Sequence, residues 1–153
     1  MWKRLPSSFL LAIALAFAGS AARADLPVVD VSTPNATLHL EVADREATRE
    51  HGLMDRTVLA PHAGMLFVFR GQSKRYFWMK DTLIPLDMIF LDARGVITTI
   101  AAKVPATTPD TADIDIPTRA GLAKFVIELN AGEAQADGLI PGVLLKIPPF
   151  TGL

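Results

Sequence analysis

Hydrophobic and polar residues alternate with period two from Thr37 to Ala43. Leu38, Leu40 and Val42 fall on one face, and Thr37, His39 and Glu41 on the other, which predicts a half-buried strand. His39 on the polar face reads as a solvated side chain. Upstream, Asp25 to Asn35 holds two prolines and predicts an extended lead-in with a short strand through Val28–Val31. Met65 to Phe69 is apolar on both faces, the pattern of a strand covered on both sides. Gly71 to Arg75 reads as a polar turn, and Tyr76 to Met79 as a further apolar segment interrupted by Lys80-Asp81-Thr82. Leu86 to Leu91 resumes as a strand, and Asp92-Ala93-Arg94-Gly95 predicts a hairpin turn into Val96–Val104. Lys124 to Leu129 and Val143 to Ile147 predict the last two strands.

Two short helices fit between these strands. Asp44 is placed to cap one that runs through His51 and ends at Gly52. Its Arg45, Glu46, Arg49 and Glu50 charge most of the surface, leaving Ala47 and Leu53-Met54 to face inward. Asn130 with Glu133 three positions on predicts the start of the second, and Gly138 its end. Pro105 to Gly121 is rich in Thr, Asp and Pro without periodicity, a long loop of the kind that carries function or motion. Short strands, two brief helices and frequent Gly/Pro punctuation together predict a mostly β fold (β-rich α+β), a small single-domain barrel or sandwich. The lack of a helix of crossover length argues against parallel βαβ winding.

The amino terminus adds a compartment. Lys3 and Arg4 precede the apolar run Phe9 to Ala18, and Ala22-Arg23-Ala24 supplies small residues at alternate positions. This is the pattern of a cleavable secretory signal over residues 1–24, leaving a single domain over 25–153. The apolar run is too short for a permanent membrane anchor, and no Cys follows it to carry a lipid. The expected location is periplasmic or secreted, with no membrane association after cleavage. The 15 basic residues include Lys3, Arg4 and Arg23, so residues 25–153 hold 12 against 16 acidic ones, a net of −4. Such a balance disfavours nucleic acid, where phosphate neutralisation supplies most of the affinity. With half the residues hydrophobic and a fifth charged, the chain is not intrinsically disordered. The absence of cysteine excludes disulfides, thiolate metal sites and Cys nucleophiles. No cofactor is implied, no Ser-His-Asp order or phosphate-cradling Gly loop occurs, and no feature specifies a protein partner.

The densest chemistry lies between His51 and Asp92. It holds His51-Gly52-Leu53-Met54-Asp55-Arg56, then Gly64-Met65-Leu66-Phe67-Val68-Phe69, then Trp78-Met79-Lys80-Asp81-Thr82-Leu83-Ile84-Pro85-Leu86-Asp87. These blocks, in this order, resemble the bacterial and archaeal family called domain of unknown function 192. Glu128-Leu129-Asn130-Ala131-Gly132 matches a further block of that family near the end. The resemblance spans nearly all of residues 25–153 and implies a compact, mostly β single-domain fold, with no established activity. Two departures stand out: Asp81 replaces the usual Asn, and His51 sits where Arg is common.

Lys80, Asp81 and Asp87 fall where one apolar segment ends and the next begins. A strand starting at Leu86 puts Asp87 on the same face as Ile89 and Leu91, where a carboxylate needs a cation or several backbone donors. Lys80 and Arg56 are the nearest cations in the motif, so the group can serve either as a clamp on the loop or as the floor of a polar pocket. Arg56 can pair with a carboxylate or recognise an anionic or sugar-hydroxyl ligand. Trp78, flanked by Phe77 and Met79, fits core packing; exposed, it would wall a binding site. The working expectation is a periplasmic binding module for a small polar ligand such as a carbohydrate. Its pocket is walled by Trp78 and Met79 and floored by Arg56, Lys80, Asp81 and Asp87. An enzymatic alternative uses Asp81 and Asp87 as an acid/base pair in a hydrolase or lyase. A copper alternative draws on Met54, Met65, Met79 and Met88 with His51, His62 and Trp78, soft ligands suited to Cu(I). Against it, Met65 and Met88 sit inside apolar strands, where Met is a common core filler.

Overall fold

The computed structural model describes residues 26–150, so the expected signal segment lies outside the described residues. Six strands form one mixed sheet: β1 (Val28–Ser32), β2 (Thr37–Ala43), β3 (Ala63–Trp78), β4 (Leu86–Leu91), β5 (Ile97–Val104) and β6 (Thr118–Asn130). Their spatial order is β1-β2-β3-β6-β4-β5. The mostly β fold expected from the pattern is present. It takes the form of an open sheet with β1 and β5 at its edges, and so is not a closed barrel.

Alternation along β2, β3, β6 and β4 sends side chains to two apolar layers, one on each face. The first layer packs Leu38, Leu40, Leu66, Ile89, Ile127 and Leu129; the second packs Met65, Phe67, Met79, Met88, Phe90 and Val126. This is why β4 is buried along its whole length, Leu86 to Leu91.

Several local expectations are corrected. β2 and β3 run parallel, joined through the six-residue helix α1 (Glu46–His51) and the stretch 52–62. A parallel crossover needs a dozen or more residues of chain, and irregular backbone supplies most of it here in place of a long helix. Gly71 to Arg75 is no turn. β3 passes straight through, and its register against β6 shifts between Val68 and Ser73. β6 begins at Thr118, which shortens the irregular loop to 105–117, with a 3-10 turn at Asp113–Asp115. Residues 143–147 form no named strand; Leu144 makes an isolated bridge to Val96.

The helix starts also differ. Arg45, not Asp44, is the N-cap of α1, and its N–H donates to Thr48 Oγ1 at 3.2 Å. Gly132, in the left-handed region at φ 94°, precedes α2 (Glu133–Ala136). The amide of Asn130 instead donates to Leu59 O and Glu133 Oε1, tying the 52–62 stretch to the end of β6.

Candidate functional site

On the second sheet face, neighbouring strands place Glu41, Met65, Glu128, Met88 and Ala101 in one row. Glu128 is therefore a carboxyl group set between two buried methionines, and it is only 4 % exposed. It makes no hydrogen bond or ion pair with a described residue. Burial disfavours the charged form and pushes its carboxyl up to about 8, so it is a neutral acid at pH 7. A protonated carboxyl can donate a hydrogen bond as well as accept one.

Glu128 lines a cavity of about 30 Å³ together with His51, Leu53, Phe67, Phe77 and Trp78, about the room a single water needs. Through the shared residues Arg49, Glu50, Phe77 and Trp78, this cavity borders an open cleft of about 800 Å³ between α1 and the outer half of β3. That volume is within the range of small-ligand sites.

Alternation along β3 shapes the cleft. Phe77 turns inward and packs edge-on against Phe67, Phe69 and Phe90, with ring centroids 4.9, 6.3 and 5.9 Å away. Its neighbours Tyr76 and Trp78 are consequently exposed, at 67 % and 52 %. Lys80 Nζ lies 5.4 Å from the Trp78 ring, within cation–π range. Also lining the cleft, two guanidinium groups lie against Phe69: Arg49 at 5.2 Å and Arg75 at 4.0 Å from the ring centroid. Arg49 donates to the carbonyls of Asp44 and Val68. Arg75 donates to Gly71 O at 2.8 Å, while its buried Nε has no hydrogen-bond partner. Desolvation, followed by repulsion from Arg49, holds the Arg75 guanidinium below its ordinary value.

A family model described as uncharacterized ACR, domain of unknown function 192, matches residues 28–147. The chain belongs to the domain of unknown function 192 family. Among solved structures, it is similar to a protein from Sinorhizobium meliloti 1021 described as a "putative transcription regulator". The identity is 34 % over 80 % of this chain and 95 % of that one, with a TM-score of 0.67. It is also similar to a protein of unknown function from Novosphingobium aromaticivorans DSM 12444, at 31 % identity over 82 % of this chain and 89 % of the other, TM-score 0.69. No curated protein matches the chain.

The residues singled out in the blocks of this domain of unknown function 192 protein are not gathered at one place. Trp78 lines the cleft, and Lys80 lies near its ring. Met79 is fully buried in the second apolar layer, so its side chain is no pocket wall. Arg56 pairs with Glu41, and its buried Nε is without a hydrogen-bond partner. Asp81 occupies the left-handed region at φ 49°, and its carbonyl accepts the N–H of Asp55 at 2.9 Å. Asp87 points to the opposite sheet face, as its pairing with Ile89 and Leu91 implied. There it accepts the N–H groups of Lys103, Gly132 and Ala134 at 2.7, 2.9 and 2.9 Å. The cations expected for it, Lys80 and Arg56, are engaged elsewhere; backbone donors take their place. Asp81 and Asp87 share no hydrogen-bond partner. Met65, Met79 and Met88 lie in the second apolar layer, and His62 bonds to Asp137 at 3.2 Å.

Glu128, Arg49, Arg75 and Tyr76 were not among the residues expected at a site. Glu128 carries a visible signal: one acid among the inward positions of Phe125-Val126-Ile127-Glu128-Leu129. The two arginines lie far apart in sequence, one on α1 and one on β3, and only the fold brings both to Phe69.

Proposed function

We propose that this protein is an exported, periplasmic binding module for a small polar ligand of the carbohydrate class, seated in the cleft between α1 and β3. The observation that carries this reading is the half-exposed Trp78, which lines both the cleft and the small adjoining cavity lined by the buried Glu128. An exposed indole offers a flat face to a sugar ring. A neutral acid beside it can exchange hydrogen bonds with hydroxyl groups without the cost of burying a charge. A net charge of −4 over residues 25–153 disfavours a nucleic-acid partner for this chain.

Trp2 and Trp78 are the two tryptophans of the sequence. In a Trp2→Phe chain, or one cleaved before Asp25, fluorescence therefore reports on Trp78 alone. Titration with mono- and disaccharides is expected to change that emission saturably, and Trp78→Ala to abolish retention in equilibrium dialysis. A flat response to the whole panel, with nothing retained from a periplasmic extract, would sink the reading. Export is checked by the N-terminal sequence of the protein recovered from the periplasm, expected to begin at Asp25.

A further inference from the structure

The geometry points to an anionic ligand in this cleft: a small molecule bearing one oxyanion group, carboxylate or phosphate, held between the guanidiniums of Arg49 and Arg75 beside Phe69. The inference rests on the cleft being a ligand site and specifies the charge of what enters it. Two guanidiniums over one ring, at 5.2 and 4.0 Å, bring like charges together at a cost. Neither forms an ion pair with a described residue. Glu46 and Glu50 line the same cleft, yet neither pairs with Arg49 or Arg75. Arg49 commits only its Nη1 to the carbonyls of Asp44 and Val68, which fixes its position. Arg75 keeps a buried Nε without a hydrogen-bond partner, so the desolvation of this guanidinium is not offset by full hydrogen bonding.

An oxyanion accepts from such forks bidentately and cancels their repulsion. Repulsion from Arg49 and desolvation both act against the charged form of Arg75, and an anion relieves the first of them. Glu128, in the adjoining cavity, is neutral at pH 7 and does not repel the incoming charge.

The test uses the full chain labelled with 15N-arginine and follows the side-chain Nε–Hε resonances. Acetate and inorganic phosphate are titrated separately against sodium chloride at equal ionic strength. The expected result is a saturable shift of the Arg75 resonance, assigned by its loss in Arg75→Gln, with one of the two anions and not with chloride. The stronger of the two identifies carboxylate or phosphate. Arg75→Gln should bind that anion at least tenfold more weakly, as read from the remaining arginine signals, while its own Tm equals or exceeds that of wild type. A response no larger than that to chloride, or full affinity in Arg75→Gln, overturns the inference. Fluorescence of Trp78 with glucose and glucuronate separates the two levels. If glucose binds as well as glucuronate, the cleft reading stands and the anion inference falls. If anions shift Arg75 while neither sugar affects Trp78, the anion stands and the carbohydrate class falls.

Discussion

Glu128 faces Met88 across the β6–β4 pair, a carboxyl group opposite a thioether in a layer otherwise built of Phe, Leu, Val, Met and Ala. Its carboxyl is raised from 4.5 to about 8 by desolvation. The folded protein therefore holds this proton more tightly than the unfolded chain. The stability linked to it is fully present below about pH 4.5 and is lost as pH rises toward 8. The loss is on the order of a few kcal/mol. Glu128→Gln keeps the shape and removes the titration. Urea unfolding at several pH values should show wild type weakening across this range while the variant stays flat and overtakes it near pH 8. Parallel curves for the two proteins would show that Glu128 does not carry the effect.

Asp92 acts in the opposite sense. The N–H of Val96 holds its carboxyl below the ordinary 3.8, against the opposing effect of burial, and Arg94 adds its backbone N–H and guanidinium. A lowered value means stability present above the unfolded value and lost as pH falls through the folded one. Asp92→Asn should lower stability at pH 7 and soften the acid limb of the curve. Denaturation midpoints from pH 2 to 7 check it; an unchanged acid limb would refute the assignment.

Asp81 and Asp87, six positions apart in one block, should respond to the same change in different ways. Asp81 matters through its left-handed backbone, a conformation Asn tolerates equally, so Asp81→Asn should lie within about 0.5 kcal/mol of wild type. Asp87 collects three backbone N–H groups, from β5, from Gly132 just before α2 and from α2 itself, which no single amide oxygen can satisfy. Asp87→Asn should cost about 2–4 kcal/mol by leaving buried donors unpaired and turning an NH2 toward one of them. Chemical denaturation of both variants decides it, and equal midpoints would contradict the separation of roles.

That contrast also shows what the residue order could and could not reveal. Period-two alternation placed β2, and the apolar run at Met65–Phe69 marked a strand covered on both faces, because burial imprints itself locally. The face of Asp87 followed from the same periodicity. The parallel β2–β3 pairing left no such imprint, since the stretch from Asp44 to His62 closes it mostly with irregular chain. The polar 71–75 segment read as a turn because a strand leaving the body of a sheet is solvated on both faces and loses its apolar period. The cleft was hidden for the same reason: Arg49 on a helix and Arg75 beyond a register shift become neighbours only through Phe69. The replacement of Asn by Asp at position 81 suggested chemistry; the backbone dihedral gives it a simpler reason.

Gly64 tests how tightly the β3–β6 seam is built. A Cβ there would stand 2.2 Å from the carbonyl oxygen of Glu128 and 2.8 Å from Leu129 Cδ2. A strand backbone cannot step aside as a flexible side chain can. Gly64→Ala must therefore push β6 away from β3 where the buried acid is anchored. A loss of about 1–3 kcal/mol is expected, the range for overpacking a well-filled core. Gly71, farther along the same strand, has nothing within 4 Å of the corresponding position. Its replacement by Ala meets no clash and restricts the unfolded chain, so Gly71→Ala should be neutral or stabilise by up to about 1 kcal/mol. Urea denaturation at pH 7 compares the pair directly. Equal stability of the two variants would mean that the close approach at Gly64 is not what holds the seam together.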